Sequence, residues 1–168
     1  LLEIKKAKGL YLYSEQRKKY IDLISGIGVS NIGHRHPKVI KAIKQQLKKH
    51  LHLIVYGELI QSPQIALAKK LITYLPEPLS SIYFVNSGSE AVEGALKLAK
   101  RYTGKTQLIS CTNAYHCSTH GALSVTGNEN LKRAFRPLLP ETYTIDFGNT
   151  EHLHRITSST AAVIIEPV

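Results

Sequence analysis

Two short stretches of the chain carry residues whose type and spacing could do chemistry. The first is Asn86-Ser87-Gly88-Ser89-Glu90, set between an apolar run at 81–85 and a helical pattern at 90–101. A strand that turns through Ser-Gly-Ser straight into a helix leaves backbone N–H groups unpaired at the positive end of the helix dipole. Glycine lets a ligand approach that backbone closely, so Ser87, Gly88 and Ser89 form a candidate phosphate cup. The same residues also read as a capping box, Ser87-x-x-Glu90, that closes a helix and binds nothing. Neither the P-loop nor the dinucleotide spacing is present. The second stretch is Asn113-Ala114-Tyr115-His116, in the loop after a strand at 106–111. An aromatic ring there could stack on a flat ligand, although a half-buried packing tyrosine is the plainer reading. Loops that follow adjacent strands open on one edge of a sheet, which is where ligands gather in open α/β folds.

The elements that must position these residues follow from hydrophobic period and punctuation. Residues 9–22 alternate apolar and polar around a turn at 14–17, which predicts a β-hairpin. A glycine-rich stretch at 25–33 leads into His34-Arg35-His36-Pro37, and Pro37 suits the first position of a helix over 38–50. Ser62-Pro63 repeats that start signal for a helix over 62–75, which Pro76 and Pro78 end. From there short apolar strands at 81–85, 106–111, 143–147 and 161–165 alternate with helices at 90–101, 129–135 and 151–156. The alternation predicts an α/β fold with a mostly parallel sheet and helices on its faces. The chain ends at Glu166-Pro167-Val168, directly after an apolar strand, so it is expected to be a fragment.

Composition narrows the function classes. A hydrophobic share of 43% and a charged share of 20% are those of an ordinary globular protein, and 168 residues suffice for a core. No apolar run approaches the roughly 20 residues that span a bilayer. The start, Leu1-Leu2-Glu3-Ile4-Lys5-Lys6, lacks a signal-peptide layout, so a cytoplasmic protein is expected. Two cysteines, Cys111 and Cys117, make no disulfide framework, and neither they nor the eight histidines show zinc spacing, so no metal site is expected. The formal charge of +10 raises nucleic-acid binding. Its densest group, Lys38, Lys41, Lys44, Lys48 and Lys49, shares a helix with Val39, Ile40, Ile43, Leu47 and Leu51 and reads as the wet face of an amphipathic helix. Without interleaved aromatic platforms, a single-strand binder is disfavoured.

Taken together, the motifs resemble the class III pyridoxal-phosphate-dependent aminotransferases, the group that includes ornithine, acetylornithine, 4-aminobutyrate and diaminobutyrate enzymes. The resemblance rests on Tyr20-Ile21-Asp22, Ser25-Gly26-Ile27-Gly28-Val29, Gly33-His34-Arg35-His36-Pro37, Asn86-Ser87-Gly88-Ser89-Glu90-Ala91, Tyr115-His116, Gly121-Ala122-Leu123-Ser124 and Ile165-Glu166-Pro167, in the family's order across nearly the whole chain. It implies the N-terminal part of a type I fold, with residues 1–50 a segment of the small domain and 51–168 the first half of the large domain. It further implies a homodimer with active sites at the interface, pyridoxal 5'-phosphate as cofactor, and a small-molecule amino donor and 2-oxo acid acceptor as partners. Ser87, Gly88 and Ser89 would hold the cofactor phosphate and Tyr115 would stack on the pyridine ring. His116 stands beside that ring without an assigned chemical role, and Glu166 lies near the cofactor's hydroxyl side. His34 and His36 are read as structural, because no carboxylate or cysteine neighbours them in sequence. The family's cofactor-bonding lysine and pyridine-binding aspartate would lie past Val168, so this stretch alone is expected to be inactive.

Two positions speak to substrate. Family members acting on ornithine, acetylornithine or 4-aminobutyrate usually follow the stacking pair with Gly-Arg, whose guanidinium can clamp a carboxylate bidentately. Here the sequence is Cys117-Ser118, and a serine cannot replace that charged fork. Ile27 stands where ornithine enzymes carry tyrosine and 4-aminobutyrate enzymes isoleucine, while 121–128 resembles the diaminobutyrate enzymes. The expected reaction is transfer from an ω-amino donor to 2-oxoglutarate or pyruvate. The alternatives are an aminomutase of the glutamate-1-semialdehyde type and a non-catalytic truncated protein.

Overall fold

The computed structural model describes residues 1–54 and 57–167. By internal contacts the chain divides into two compact units, Leu1–Tyr74 and Leu75–Val168. Among the described residues no helix is long and apolar enough to cross a membrane.

The first unit opens with an antiparallel sheet in the order β1 (Ile4–Lys8), β2 (Tyr11–Ser14), β3 (Lys19–Ile21). The expected hairpin is β2–β3, with Tyr11 opposite Ile21 and Tyr13 opposite Lys19. Strand β1 adds a third rung, and its lysine-rich sequence hides the apolar alternation that would have announced it. Lys19 lies 3.5 Å from the centre of the Tyr11 ring, a diagonal cross-strand pair of a kind that steadies exposed sheets. The four residues of α1 (Ser25–Gly28) wind left-handed, with φ of 52°, 61°, 58° and 76°. Such a run is costly for Ser25 and Ile27, and the two glycines lower that cost. At Gly33, φ is 82° and a Cβ would stand 3.1 Å from the Gly9 carbonyl oxygen, so both the backbone and the close approach favour glycine. Helices α2 (Pro37–Leu47) and α3 (Ser62–Ile72) begin where their prolines predict and stop about a turn early. Neither contains a buried residue: Val39, Ile43 and Leu47 on α2 are all exposed.

The second unit holds the core. A three-stranded parallel sheet runs β5 (Thr142–Ile145), β4 (Gln107–Cys111), β6 (Thr160–Val163), so the central strand comes first in sequence. Leu108 pairs with Thr142 on one side and Ala162 on the other. Crossovers in such sheets are right-handed, so stepping outward to β5 and back to β6 places the connections on opposite faces. On one face Leu108 packs with Leu96 of α4 (Gly88–Thr103) and Val125 of α5 (His120–Val125). On the other, Ile109, Cys111 and Ile145 cluster with Ala114. The 3₁₀ segment Thr150–Arg155 brings Leu153 to the concavity lined by Cys111 and Ile145.

Three local expectations need correction here. Residues 81–85 find no ladder partner among the described residues and form no strand. The helix expected at 151–156 is the tighter 3₁₀ form. The stretch read as a plain loop after β4 contains α5, whose residues from Gly121 to Val125 are all buried. A short helix with five consecutive buried residues has no amphipathic period to detect.

Candidate functional site

The Ser-Gly-Ser turn is both a cap and a set of free donors. Ser87 is extended (φ −151°, ψ 162°), and its hydroxyl accepts from the Glu90 N–H at 3.2 Å. Glu90 reaches back to accept from the Asn86 N–H at 2.6 Å, one residue before the cap, so the two side chains close the turn in a variant of the capping box. That cap takes one first-turn donor. The N–H groups of Gly88 and Ser89 meet no acceptor among the described residues, and Gly88 is exposed. The Glu90 cap fixes the turn while two donors stay open, so the capping reading and the phosphate reading are compatible.

The loop after β4 is held at several points. Thr112 donates its N–H to the Ile145 carbonyl at 2.8 Å and its hydroxyl to Asp146 at 2.8 Å. The Tyr115 N–H donates to a carboxylate oxygen of Glu166 at 3.1 Å, joining the loops that follow the adjacent strands β4 and β6. The His116 N–H donates to the Thr126 hydroxyl at 3.1 Å. Tyr115 is 58% exposed. His116 is buried, and its Nε2 has no partner among the described residues. Burial lowers its pKa below the ordinary histidine value and the charge of Glu166 pulls the other way, which leaves a mainly neutral ring at pH 7. Burial likewise pushes the Cys111 thiol up, helped by Asp146 and Glu166.

Cys117 ties the two stretches together. A Cβ built on Gly88 would stand 3.4 Å from the Cys117 sulfur, so the loop of Tyr115 borders the first turn of α4. Cys117 itself has φ of 78°, a left-handed conformation that glycine adopts freely and cysteine does not. Ser118 follows on the exposed side of the same loop. The structure thus brings Ser87, Gly88, Ser89, Tyr115, His116, Ser118 and Glu166 into one unit. Ile27 belongs to the other, where it is exposed and left-handed at φ 58°.

Several organising residues were not visible as such in the sequence. Asp22 accepts from the Ile24 and Ser25 N–H groups with one oxygen and meets His34 Nε2 at 2.6 Å with the other. His34 thus has a carboxylate partner twelve residues earlier, outside its local sequence. Glu93 gathers three donors from the start of α5. Lys132 is buried and donates to the carbonyls of Ser124 at 3.3 Å and Thr126 at 2.8 Å, at the C-terminal end of α5. Opposite charges therefore sit at the two ends of α5, each complementing its dipole.

The fold and site define a class, and comparison with known proteins agrees. The aminotransferase class-III family matches residues 1–168. This chain belongs to that family. Its relatives include the acetylornithine aminotransferase of Methanocaldococcus jannaschii, 41% identical over 169 residues that cover 96% of this chain and 41% of the relative. Another is the [LysW]-aminoadipate semialdehyde/glutamate semialdehyde transaminase of Sulfurisphaera tokodaii, 36% identical over 168 residues, covering 99% of this chain and 43% of the relative. Among solved structures, an amine transaminase from an uncultivated Pseudomonas species in its pyridoxal-phosphate-bound form superimposes with a TM-score of 0.89. It is 26% identical, and the match covers 100% of this chain and 45% of that one. The chain spans less than half the length of the curated relatives it matches.

Proposed function

We propose that the protein containing this chain is a pyridoxal-phosphate-dependent aminotransferase that moves an amino group from an ω-amino donor to a 2-oxo acid. One observation carries the reading. An exposed helix turn with two free N–H donors borders a loop that presents an uncovered aromatic ring, on one edge of a parallel sheet. A planar ring bearing a phosphate fits that pairing of anion donors and stacking surface. The relatives' names and the cofactor in the Pseudomonas structure support it.

When bound, pyridoxal phosphate supplies an electron sink for the carbon next to the transferred nitrogen. The chain's own residues bind and orient. Gly88 and Ser89 would donate their N–H groups to the cofactor's phosphate, whose charge the α4 dipole favours. Tyr115 would stack on the cofactor's ring and keep water from that face. Glu166 fixes the tyrosine by accepting its backbone N–H. Buried His116, whose pKa burial lowers, is assigned no chemical role.

Ile27 and Ser118 are assigned to the substrate. With Ser118 where a guanidinium fork would stand, substrate carboxylates must be held by other groups, which disfavours donors that rely on that clamp. The relatives' names include acetylornithine and semialdehyde substrates, and a diaminobutyrate-like donor suits the 121–128 sequence. Residues 1–50 are assigned to the small domain and 51–168 to the large one, within a homodimer. The two free thiols support a cytoplasmic setting.

The test uses the full-length protein with pyridoxal phosphate, adding ω-amino donors singly and following the visible absorbance of bound cofactor. Loss of the band with one donor, and its return with 2-oxoglutarate or pyruvate, is the expected result. Absence of any band overturns the cofactor assignment. Turnover without an acceptor would make the protein an aminomutase.

A further inference from the structure

We propose that Glu93 is a positioning residue that fixes the spacing between the phosphate-holding turn of α4 and the loop carrying Tyr115. The proposal rests on the cofactor assignment above and concerns how the two halves of that site are held in register.

Glu93 lies on α4, the helix whose first turn offers the Gly88 and Ser89 donors. One carboxylate oxygen accepts three hydrogen bonds from the segment after Tyr115: the Thr119 hydroxyl at 2.7 Å, the Gly121 N–H at 2.8 Å and the Ala122 N–H at 3.2 Å. The two N–H groups belong to the first turn of α5, so the carboxylate caps that helix from outside. A Cβ on Gly121 would overlap the Glu93 carboxylate, so the glycine is what permits the approach.

From α5 the constraint returns to the ring loop. Thr126, the residue after α5, accepts the His116 N–H at 3.1 Å, next to Tyr115. Its own hydroxyl is positioned to donate to the carbonyls of Ala122 and Cys117, each at 3.3 Å. Lys132 anchors the same end of α5 through the Thr126 carbonyl. A path therefore runs from α4 through Glu93, α5 and Thr126 to the loop of His116 and Cys117, whose sulfur borders Gly88. Pyridoxal phosphate needs the phosphate donors and the stacking ring at one fixed separation, whereas inorganic phosphate needs only the donors. Loosening the clamp should therefore weaken the larger ligand selectively.

The experiment compares full-length wild type with Glu93→Ala, Glu93→Gln and Thr119→Val. It measures the Kd for pyridoxal phosphate, the competition constant of inorganic phosphate, and the visible circular dichroism of bound cofactor. Glu93→Ala should raise the cofactor Kd about tenfold, as expected on losing one positioned set of hydrogen bonds, and diminish the dichroic band. Phosphate competition should stay within about twofold of wild type. Glu93→Gln keeps an acceptor oxygen in place and should restore most of both signals. Thr119→Val removes one of the three bonds and should move the Kd in the same direction by about threefold, so it carries the test if Glu93→Ala fails to fold. Equal weakening of cofactor and phosphate would reduce Glu93 to general stability and overturn the proposal. So would an unchanged Kd and spectrum in Glu93→Ala and Thr119→Val, with the cofactor assignment left standing. A wild type that binds no pyridoxal phosphate would overturn both.

Discussion

The two units of this chain are stabilised in different ways. In Leu75–Val168, Leu108 and Ile109 are fully buried on opposite faces of the central strand, and Leu96, Val125 and Ile145 close over them. In Leu1–Tyr74 the one buried side chain among the described residues is Ser14, and no apolar residue of α2 or α3 is buried. That unit is organised by polar contacts instead: the Asp22–His34 pair, the paired backbone bonds of Gly9 and His34, and the left-handed turn at Ser25–Gly28. The unit with its own core carries the candidate cofactor residues, whereas the unit without one carries Ile27, assigned to the substrate. A cofactor site needs fixed distances, and packed apolar contacts supply them more reliably than exposed hydrogen bonds.

Mutations should expose that difference, the largest in the core. Leu108→Ala leaves a cavity between β4, α4 and α5 and is expected to cost about 2–5 kcal/mol in urea unfolding. Ile43→Ala on exposed α2 should change stability by less than about 0.5 kcal/mol, and a comparable loss at both sites would erase the distinction.

Acid should act next, through different groups in each unit. His116 is buried with a lowered pKa, so the unfolded chain binds its proton more readily, near the ordinary value of 6.5. Stability should then fall as pH drops through about 6.5, and His116→Gln should flatten that limb in unfolding measured from roughly pH 7 to 5. In the other unit Asp22 is held below its usual value by His34 first and by the Ser25 N–H next. Its contribution is present above the ordinary aspartate value of 3.8 and is lost as pH falls through its lower folded pKa. Asp22→Asn should remove this lower limb, read from the tyrosine near-ultraviolet dichroism of the β-sheet.

A smaller effect is expected at Cys117. Replacing this left-handed residue by glycine relieves backbone strain and should stabilise the unit by up to about 1 kcal/mol. In the native protein, iodoacetamide should label half-buried Cys117 and spare buried Cys111, whose thiol is held protonated. Mass spectrometry of the labelled peptides would show the reverse if the loop were packed differently.

The sequence revealed most where local chemistry decides the structure. Pro37 and Ser62-Pro63 mark helix starts because proline suits the first turn, and Ser87-x-x-Glu90 marks the α4 cap because both partners are four residues apart or closer. Structure that depends on distant partners was not legible. The strand expected at 81–85 has the right composition but no partner to pair with among the described residues. Helix α5 is buried from Gly121 to Val125 and so lacks a period. Glu93 reads as one more acidic residue on an amphipathic helix until α5 is seen folded against it, 26 to 29 residues further along the chain.

In the proposed function the α4 turn and the Tyr115 loop hold one ligand between them. Hydrogen–deuterium exchange on the full-length protein, with and without pyridoxal phosphate, tests it directly. Added cofactor is predicted to slow exchange at the Gly88 and Ser89 amides and across 113–118 together. Protection of only one stretch, or of neither, would contradict the account.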